Sequence, residues 1–271
     1  MPNRQTRGID VSSLVKLERA EGVAWLTLNR PEVMNALSFQ TLQELRSHIA
    51  TLVEDRETRV VIVCGSGQKA FCAGADLKER VGFTEERTRE FVALIGDTFT
   101  ELTHLPQPTI AAMGGVAYGG GLELALACDM RIAAKGVKMG LTETSLAIIP
   151  GAGGTQRLPA IVGVARAKEM ILAAQRIDAD EALSMGLVNR VVSGESLRDS
   201  ARELAGAIAA CGPLAVRAAK TAIDVSQMGG ELGDRLLRER QLYLEEVLPS
   251  SDRLEALAAF REKRKPQFKG E

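Results

Sequence analysis

Short apolar runs and helical stripes of apolar residues alternate along the first part of the chain. Residues 14–19 and 23–28 are apolar-rich runs joined by a turn that contains glycine, which predicts a β-hairpin. After Ser38, a residue that favours the N-cap of a helix, apolar residues recur at helical spacing through residue 53. Residues 60–64 form a continuous β-branched run, as expected of a strand that is covered on both faces.

The same alternation continues toward the middle of the chain. Apolar residues at helical spacing predict a long helix over about residues 84–105, which the following prolines would end. Further on, the pattern predicts strands at 109–113 and 130–133, with a helix over 122–128 between them that three glycines precede. An alternation of strands and helices is typical of the α/β class.

The character of the sequence changes after about residue 195. Four helical segments are predicted from there on, at residues 196–210, 213–228, 232–248 and 252–263. Asp252 and Glu255 have the spacing of a capping box at the start of the last one. The sequence therefore predicts an α/β core that holds the active site in residues 1–195 and a helical region in residues 196–271.

Composition and charge limit the possible partners. The chain has 271 residues, of which 45% are hydrophobic, and this is enough for a packed core. A formal net charge of -1 offers no basic field to a nucleic-acid backbone, so nucleic-acid binding is unexpected. No apolar run approaches the roughly 20 residues of a membrane helix, and the N-terminus lacks a secretory signal pattern. Four cysteines without a C-x-x-C pair predict reduced thiols and a cytoplasmic location.

Several reaction types lack their usual residues. The chain contains two histidines and neither an H-E-x-x-H motif nor a Cys/His cluster, so no metal site is predicted. No G-x-S-x-G motif is present for a hydrolase nucleophile. A pair of carboxylates could serve a glycosidase, but with 4% aromatic residues the chain has few side chains for stacking on sugars.

Two clusters of small residues are candidates for contact with a ligand. Residues 73–76 (Ala-Gly-Ala-Asp) follow the predicted strand 60–64 and its loop, and the N–H of Ala75 would be free if the turn leaves it outside the sheet. Residues 119–121 are three glycines at a helix start, where unpaired N–H groups and the helix dipole favour an oxyanion. On pattern alone, a tight turn packed with small residues is the favoured explanation of the first cluster. Phosphate is the rival ligand for the second, although no Walker loop is present.

Two glutamates stand in otherwise apolar surroundings. Glu123 is in the first turn of the helix that follows the three glycines, and Glu143 lies between two apolar stretches. Two carboxylates on either side of one water can act on it as base and acid. The alternative is that both are ordinary solvent-exposed glutamates.

At these residues the sequence resembles the enoyl-CoA hydratase/isomerase family, also called the crotonase superfamily. The resemblance runs from about residue 14 to the C-terminus and rests on several motifs that occur in order. These motifs are Asn29-Arg30-Pro31, Asn35-Ala36-Leu37, Phe71-Cys72-Ala73-Gly74-Ala75-Asp76-Leu77, the segment 108–112, the segment 119–129, Glu143 and the segment 149–158.

The resemblance implies a spiral of ββα units followed by a C-terminal helical trimerisation region, assembled as a homotrimer or homohexamer. It implies an acyl-CoA substrate, a role in fatty acid metabolism such as β-oxidation, and no cofactor other than the coenzyme A of the substrate. The N–H groups of Ala75 and Gly120 would form an oxyanion hole, Glu123 would activate water, and Glu143 would move the α-carbon proton. The coenzyme A and acyl path would be lined by Ala73, Ala75, Asp76, Leu77, Lys78 and Gly120.

Within the family, the sequence is most similar to the 3-methylglutaconyl-CoA hydratase group, some members of which bind AU-rich RNA. That activity is associated with a lysine-rich helix, and the matching residues 38–55 contain no lysine here, so RNA binding is only a second alternative. The first alternative is another acyl-CoA isomerase, hydrolase or lyase. Isomerases of the family often lack one of the two glutamates, so the presence of both favours hydration. Basic residues near the C-terminus form either a solvated tail or a contact with coenzyme A phosphates of a neighbouring subunit: Lys263, Arg264, Lys265 and Lys269.

Overall fold

Two β-sheets are built from the apolar runs of the chain. The computed structural model describes residues 13–227 and 229–271. The larger sheet contains β1 (Val15–Ala20), β2 (Val23–Leu28), β3 (Val60–Gly65), β5 (Thr109–Met113), β7 (Met130–Ala134) and β10 (Arg190–Val192), in that spatial order. The smaller sheet contains β4 (Ala70–Cys72), β6 (Val116–Tyr118), β8 (Lys138–Gly140) and β9 (Ile177–Asp178).

Successive strands along the chain belong in turn to the larger and the smaller sheet. After the antiparallel β1–β2 hairpin, each of the pairs β3/β4, β5/β6 and β7/β8 adds one strand to the larger sheet and one to the smaller. Strands β2, β3, β5, β7 and β10 are parallel to one another, as are β4, β6 and β8, whereas β9 pairs antiparallel with β8. The predicted α/β class is confirmed, and the predicted hairpin and buried strands are present.

Helices connect or cover these strands. Their bounds are α1 (Phe39–Val53), α2 (Leu77–Arg80), α3 (Glu85–Thr103), α4 (Gly120–Leu126), α5 (Gly154–Val162), α6 (Val164–Leu172), α7 (Ala179–Ser184), α8 (Leu197–Ala209), α9 (Pro213–Val225), α10 (Leu232–Leu242) and α11 (Ser251–Glu262). Ser38 caps α1 as predicted, because its hydroxyl accepts a hydrogen bond from the N–H of Thr41.

Apolar residues cover the larger sheet on both faces. Val61 and Val63 belong to one buried cluster, whereas Val60 and Ile62 belong to a second cluster on the opposite face, so β3 is buried on both sides as its sequence predicted. Ala201 on α8 is part of that second cluster. Helix α8 therefore packs on the core although it lies beyond residue 195, and the predicted division into 1–195 and 196–271 stays a prediction.

The start of the last helix differs from its prediction. The capping box of Asp252 and Glu255 is wrong, because α11 begins one residue earlier and the hydroxyl of Ser250 accepts from the N–H of Arg253. The Asp252 carboxylate instead accepts from the N–H groups of Lys269 and Gly270, which fold back along the helix.

The other predictions for the C-terminal helices differ less from the structure. Helix α10 ends at Leu242 and continues as a π-helix over Tyr243–Val247, where one unbroken helix was predicted. Met228, the last residue of the predicted segment 213–228, lies outside the described residues. Arg264 at the C-terminus forms ion pairs with Glu255 and Glu262, which favours the interpretation of a solvated tail for this residue.

Across residues 13–227 and 229–271, no helix is long and apolar enough to cross a membrane. The same residues contain no group of three or more His, Cys, Asp or Glu side chains that could hold a metal ion. All four cysteines are free thiols, and Cys72 and Cys128 are buried, whereas Cys64 is half-buried. The predicted cytoplasmic location stays a prediction.

A buried guanidinium supports helix α4, which carries part of the candidate site. Arg131 donates to the carbonyls of Ala125 and Cys128 at the end of this helix and to the carbonyl of Leu187. Because Arg131→Met leaves these acceptors without their charged donor, we expect the free energy of unfolding to fall by about 3 kcal/mol in urea titrations. The control is Arg202→Met, which removes only an exposed ion pair and should cost less than about 1 kcal/mol. Equal losses in the two variants would contradict this role of Arg131.

Candidate active site

The segment around Ala75 is held by a short backbone bridge. The N–H of Leu37 donates to the carbonyl of Gly74, and the N–H of Asp76 donates to the carbonyl of Leu37, at 2.8 and 2.9 Å. This parallel bridge uses the groups on either side of Ala75. The N–H of Ala75 itself has no acceptor among the described residues, so it is available to a ligand.

The glycine run brings a second free amide next to the first. Gly119 has φ 52° and ψ -126°, a conformation that disfavours residues with a side chain, and its N–H donates to Gly140. Gly120 is the first residue of α4, where an N–H has no partner within the helix. A Cβ placed on Gly120 would lie 3.7 Å from the nitrogen of Ala75. The amides of residues 75 and 120 are therefore neighbours at the positive end of a short helix.

Glu123 is buried on α4 and is anchored through one carboxylate oxygen. Its side chain is 3% exposed, and Oε1 accepts hydrogen bonds from the N–H groups of Ala152 and Gly154, both at 2.8 Å. Burial raises the pKa of Glu123, while these two donors and the charge of Arg157 oppose the rise. No protein donor among the described residues reaches Oε2, which leaves this oxygen available for chemistry.

Glu143 is buried without such anchors. It starts a 3-10 helix over Glu143–Leu146, and its Oε2 is buried with no hydrogen-bond partner among the residues described. A Cβ on Gly119 would lie 2.8 Å from Oε1, so this carboxyl group rests against the glycine run. Burial raises the pKa of Glu143 to about 7, and the charge of nearby Glu123 acts in the same direction.

The structure thus gathers five of the residues singled out from the sequence around the start of α4. Gly119 lies against Glu143, and the amide of Gly120 lies beside that of Ala75. Glu123 follows in the first turn of α4. The two carboxyl groups differ in their surroundings, one anchored by N–H donors and the other with an unpaired buried oxygen. Such a pair can hold one proton at neutral pH and pass it on.

The side chain of Asp76 is engaged by the protein, and its part in lining the coenzyme A path stays a prediction. Its Oδ1 accepts from the N–H groups of Lys78 and Glu79 at the start of α2, and its Oδ2 pairs with Arg30 at 3.0 Å. Because both oxygens are engaged, we assign the Asp76 side chain to holding this loop in place. The same nitrogen of Arg30 donates to the carbonyl of Ala36, which ties the loop to the turn that precedes α1.

The remaining predicted lining residues lie on the same loop. The N–H of Ala73 donates to the carbonyl of Met34, which uses its backbone donor. The side chains of Leu77 and Lys78 are exposed. A part in lining the coenzyme A path stays a prediction for these three residues.

The residues that anchor Glu123 were not assigned a role from the sequence. Ala152 and Gly154 are 29 and 31 residues away along the chain and reach it through a turn at the start of α5. Arg157 packs against this turn and donates to the carbonyl of Ala152 at 2.8 Å. The sequence signal was the glycine-rich segment of residues 151–154, which marks a tight turn before a helix.

A separate cavity of about 690 Å³ lies elsewhere, where the larger sheet meets the start of α8. Its described lining includes Trp25, on which the guanidinium of Arg198 stacks at 4.1 Å, and Cys64. Neither glutamate and neither free amide lines this cavity. The candidate active site is therefore the polar cluster at α4, which combines titratable groups with unpaired donors.

The family model described as enoyl-CoA hydratase/isomerase matches residues 18–271 of this chain. The chain belongs to the enoyl-CoA hydratase/isomerase family. It is 46% identical over 255 residues to the mitochondrial enoyl-CoA hydratase domain-containing protein 2 of Bos taurus, covering 93% of this chain and 86% of that protein. It is 43% identical over 258 residues to the mitochondrial methylglutaconyl-CoA hydratase of Homo sapiens, covering 94% of this chain and 76% of that protein.

The fold comparison agrees with the sequence comparison. The crystal structure of an enoyl-CoA hydratase from Bacillus anthracis superposes with a TM-score of 0.93 at 51% identity, covering 96% of this chain and all of that one. The crotonase fold predicted from the motifs is thereby confirmed, including the successive pairs of strands that each add to both sheets. Membership of the enoyl-CoA hydratase/isomerase family also confirms the prediction of an enzyme of the hydratase type, a lyase.

Proposed function

We propose that this protein adds water across the C2–C3 double bond of a 2-enoyl-CoA thioester. The observation that carries the proposal is the arrangement of two buried glutamates beside two free backbone amides. Hydration next to a thioester requires a base for water, a proton donor for C2 and stabilisation of the enolate oxygen. The cluster at α4 offers one group for each requirement.

In the proposed reaction, the thioester oxygen accepts hydrogen bonds from the N–H groups of Ala75 and Gly120. Glu123, anchored through Oε1, takes a proton from water with Oε2 while the water oxygen bonds to C3. The electron pair of the double bond moves toward the thioester, and the negative charge develops on the oxygen held by the two amides. Glu143 then gives its proton to C2, and the thioester carbonyl is restored. Glu123 loses its proton and Glu143 regains one by exchange with solvent after the product leaves, which restores the starting state.

The surroundings of the glutamates support this division of roles. Glu123 receives two N–H donors, which favour its ionised form relative to an unanchored buried carboxylate. Glu143 has an unpaired buried oxygen and a pKa raised to about 7, which favours a protonated side chain at the start of the reaction. The reaction draws on no cofactor beyond the coenzyme A of the substrate.

The identity of the acyl group of the substrate is the more specific part of the proposal. The human relative at 43% identity is a methylglutaconyl-CoA hydratase, and 3-methylglutaconyl-CoA is therefore our first candidate substrate. A related isomerase, hydrolase or lyase activity on acyl-CoA is the alternative. The two glutamates favour hydration, because double-bond migration needs no second group to activate water.

Measuring products from a panel of thioesters tests this proposal. Purified protein is incubated with crotonyl-CoA, a long-chain 2-enoyl-CoA, 3-methylglutaconyl-CoA, a 3-enoyl-CoA and a saturated acyl-CoA. Formation of 3-hydroxyacyl-CoA from at least one 2-enoyl substrate is expected, with little free coenzyme A released. Migration of the double bond or hydrolysis without any hydration would contradict the proposal, and the preferred acyl group is read from kcat/KM.

The pH dependence follows from the proposed protonation states. Hydration needs Glu123 ionised, so kcat/KM falls as the pH is lowered and this group takes up a proton. It needs Glu143 protonated, so kcat/KM also falls as the pH rises through about 7, the pKa of that group. We therefore expect a bell-shaped profile for hydration, measured with a non-ionising acyl chain such as crotonyl. A profile that rises steadily between pH 6 and 9 would contradict the assigned roles.

We infer that the protein assembles as a trimer or a dimer of trimers. The C-terminal helices expose large apolar side chains, which monomeric surfaces seldom cluster. They are Leu236, Leu237, Leu254, Leu257 and Phe260, each at least 50% exposed in the single chain. Sedimentation equilibrium measures the state directly, and a monomer at micromolar concentration would overturn this inference.

A further inference from the structure

The turn that anchors Glu123 is held from its other side by a cation. Residues 151–154, here called the glycine turn, direct the N–H groups of Ala152 and Gly154 to Oε1 of Glu123. The carbonyl of Ala152 accepts a hydrogen bond from Nη1 of Arg157, one turn into α5, at 2.8 Å. The same residue thus receives a hydrogen bond from the arginine and gives one to the glutamate.

The central residue of the glycine turn fits only because it lacks a side chain. Gly153 has φ +101°, which residues with a Cβ rarely adopt. A Cβ at this position would also collide with Nη1 of Arg157. The guanidinium therefore occupies the space of the missing side chain and packs directly on the turn, so a displacement of Arg157 would free the turn to move.

Arg157 contacts the turn and makes no ion pair with Glu123 within 4 Å in the described part of the chain. We propose that Arg157 is a positioning residue that fixes the orientation of Glu123 through the glycine turn. The inference rests on the proposed function, in which Glu123 activates water. Arg157 has a second effect besides this positioning, because its charge lowers the pKa of Glu123.

Replacing Arg157 separates the two effects. Arg157→Met removes both the hydrogen bond and the charge, so we expect kcat for crotonyl-CoA to fall about 10- to 100-fold, as for a misplacement on the order of 1 Å. KM should change less than about threefold, and the acidic limb of the pH profile should move to higher pH, because Glu123 loses a neighbouring cation. Arg157→Lys keeps the charge, so its acidic limb should stay near that of the wild type while kcat is intermediate.

Arg166→Met is the matched control, because Arg166 is an exposed arginine on α6 that faces solvent. It should leave kcat and the pH profile unchanged. An Arg157→Met variant with wild-type kcat and an unmoved acidic limb would overturn the proposal. Loss of thermal stability with an unchanged pH profile would also overturn it, since that is the result expected of a purely structural residue. If the Met variant does not fold, the Lys variant carries the same test through its kcat.

A double variant tests whether Arg157 acts through Glu123. In Glu123→Gln the base is absent, so the orientation of residue 123 no longer limits the rate. We expect Glu123→Gln with Arg157→Met to be within about threefold of Glu123→Gln alone, rather than slower by the product of the two effects. Multiplying losses would overturn the proposal. If Glu123→Gln alone hydrates at the wild-type rate, the role of Glu123 as the base fails. If the wild-type protein forms no 3-hydroxyacyl-CoA, the proposed function itself fails, so the two results are distinguishable.

Discussion

Glu143→Gln is expected to lower kcat for hydration by about 100- to 10,000-fold, the range that a positioned general acid contributes. The amide has nearly the shape of the carboxylic acid but cannot give a proton to C2. Steady-state assays with crotonyl-CoA measure this loss, and KM should change little because binding of the thioester depends on other groups. The largest effect is expected here because Glu143 is the group that the proposed reaction uses to protonate C2.

The pH profile distinguishes this variant from Glu123→Gln. Without Glu143, the residual activity should lose the fall above about pH 7, since the group responsible is gone. Without Glu123, the acidic limb should disappear instead. A trace of activity that follows the wild-type profile in both variants would point to contaminating enzyme and would leave the measured losses as lower bounds.

Glu169→Gln provides the control for the chemical change itself. Glu169 is exposed on α6, and the same substitution there should leave kcat within about twofold of wild type. Retention of more than a tenth of the wild-type kcat in Glu143→Gln would show that Glu143 is not the proton donor. Glu123 and the oxyanion hole would then have to account for the catalysis without it.

The lengths of the strands explain how much of the fold the sequence predicted. Runs of five or six apolar residues, as in β3 and β5, carry a recognisable pattern and were predicted. The whole smaller sheet was missed, because its strands have two or three residues and no period can be read from so few. These short strands are stabilised by pairing with one another, and each pairing joins segments that are far apart along the chain.

The candidate site was predictable to a similar extent. Glu123 and Glu143 could be singled out because a carboxylate in an apolar stretch is unusual, and both are buried. The donors of Ala152 and Gly154 could not be assigned, since their approach to Glu123 depends on how a distant turn packs. The partners of Asp76 could not be read from the sequence either, because both of its oxygens are engaged by groups that only the fold brings close.

Gly119→Ala should lower kcat at least about 100-fold, although the change adds a single methyl group. That methyl would lie 2.8 Å from Oε1 of Glu143, closer than two such atoms can stay, so the carboxyl group must move. Gly119 also has φ +52°, and relaxing this angle would turn the N–H of Gly120 away from its neighbour at Ala75. Loss of one oxyanion donor alone costs about 100- to 1,000-fold in other enzymes.

Gly136→Ala separates this effect from backbone strain. Gly136 has φ +82° in the turn between β7 and β8, and a Cβ there would meet no atom within 4 Å. Both variants should lose about 1–2 kcal/mol of stability in urea titrations, the cost of a left-handed conformation for a residue with a side chain. Only Gly119→Ala should lose kcat when both are assayed well below their unfolding midpoints. Equal kcat in the two variants would mean that the glycine run holds neither the donor amide nor Glu143 in a catalytic position, because strain is the one property that they share.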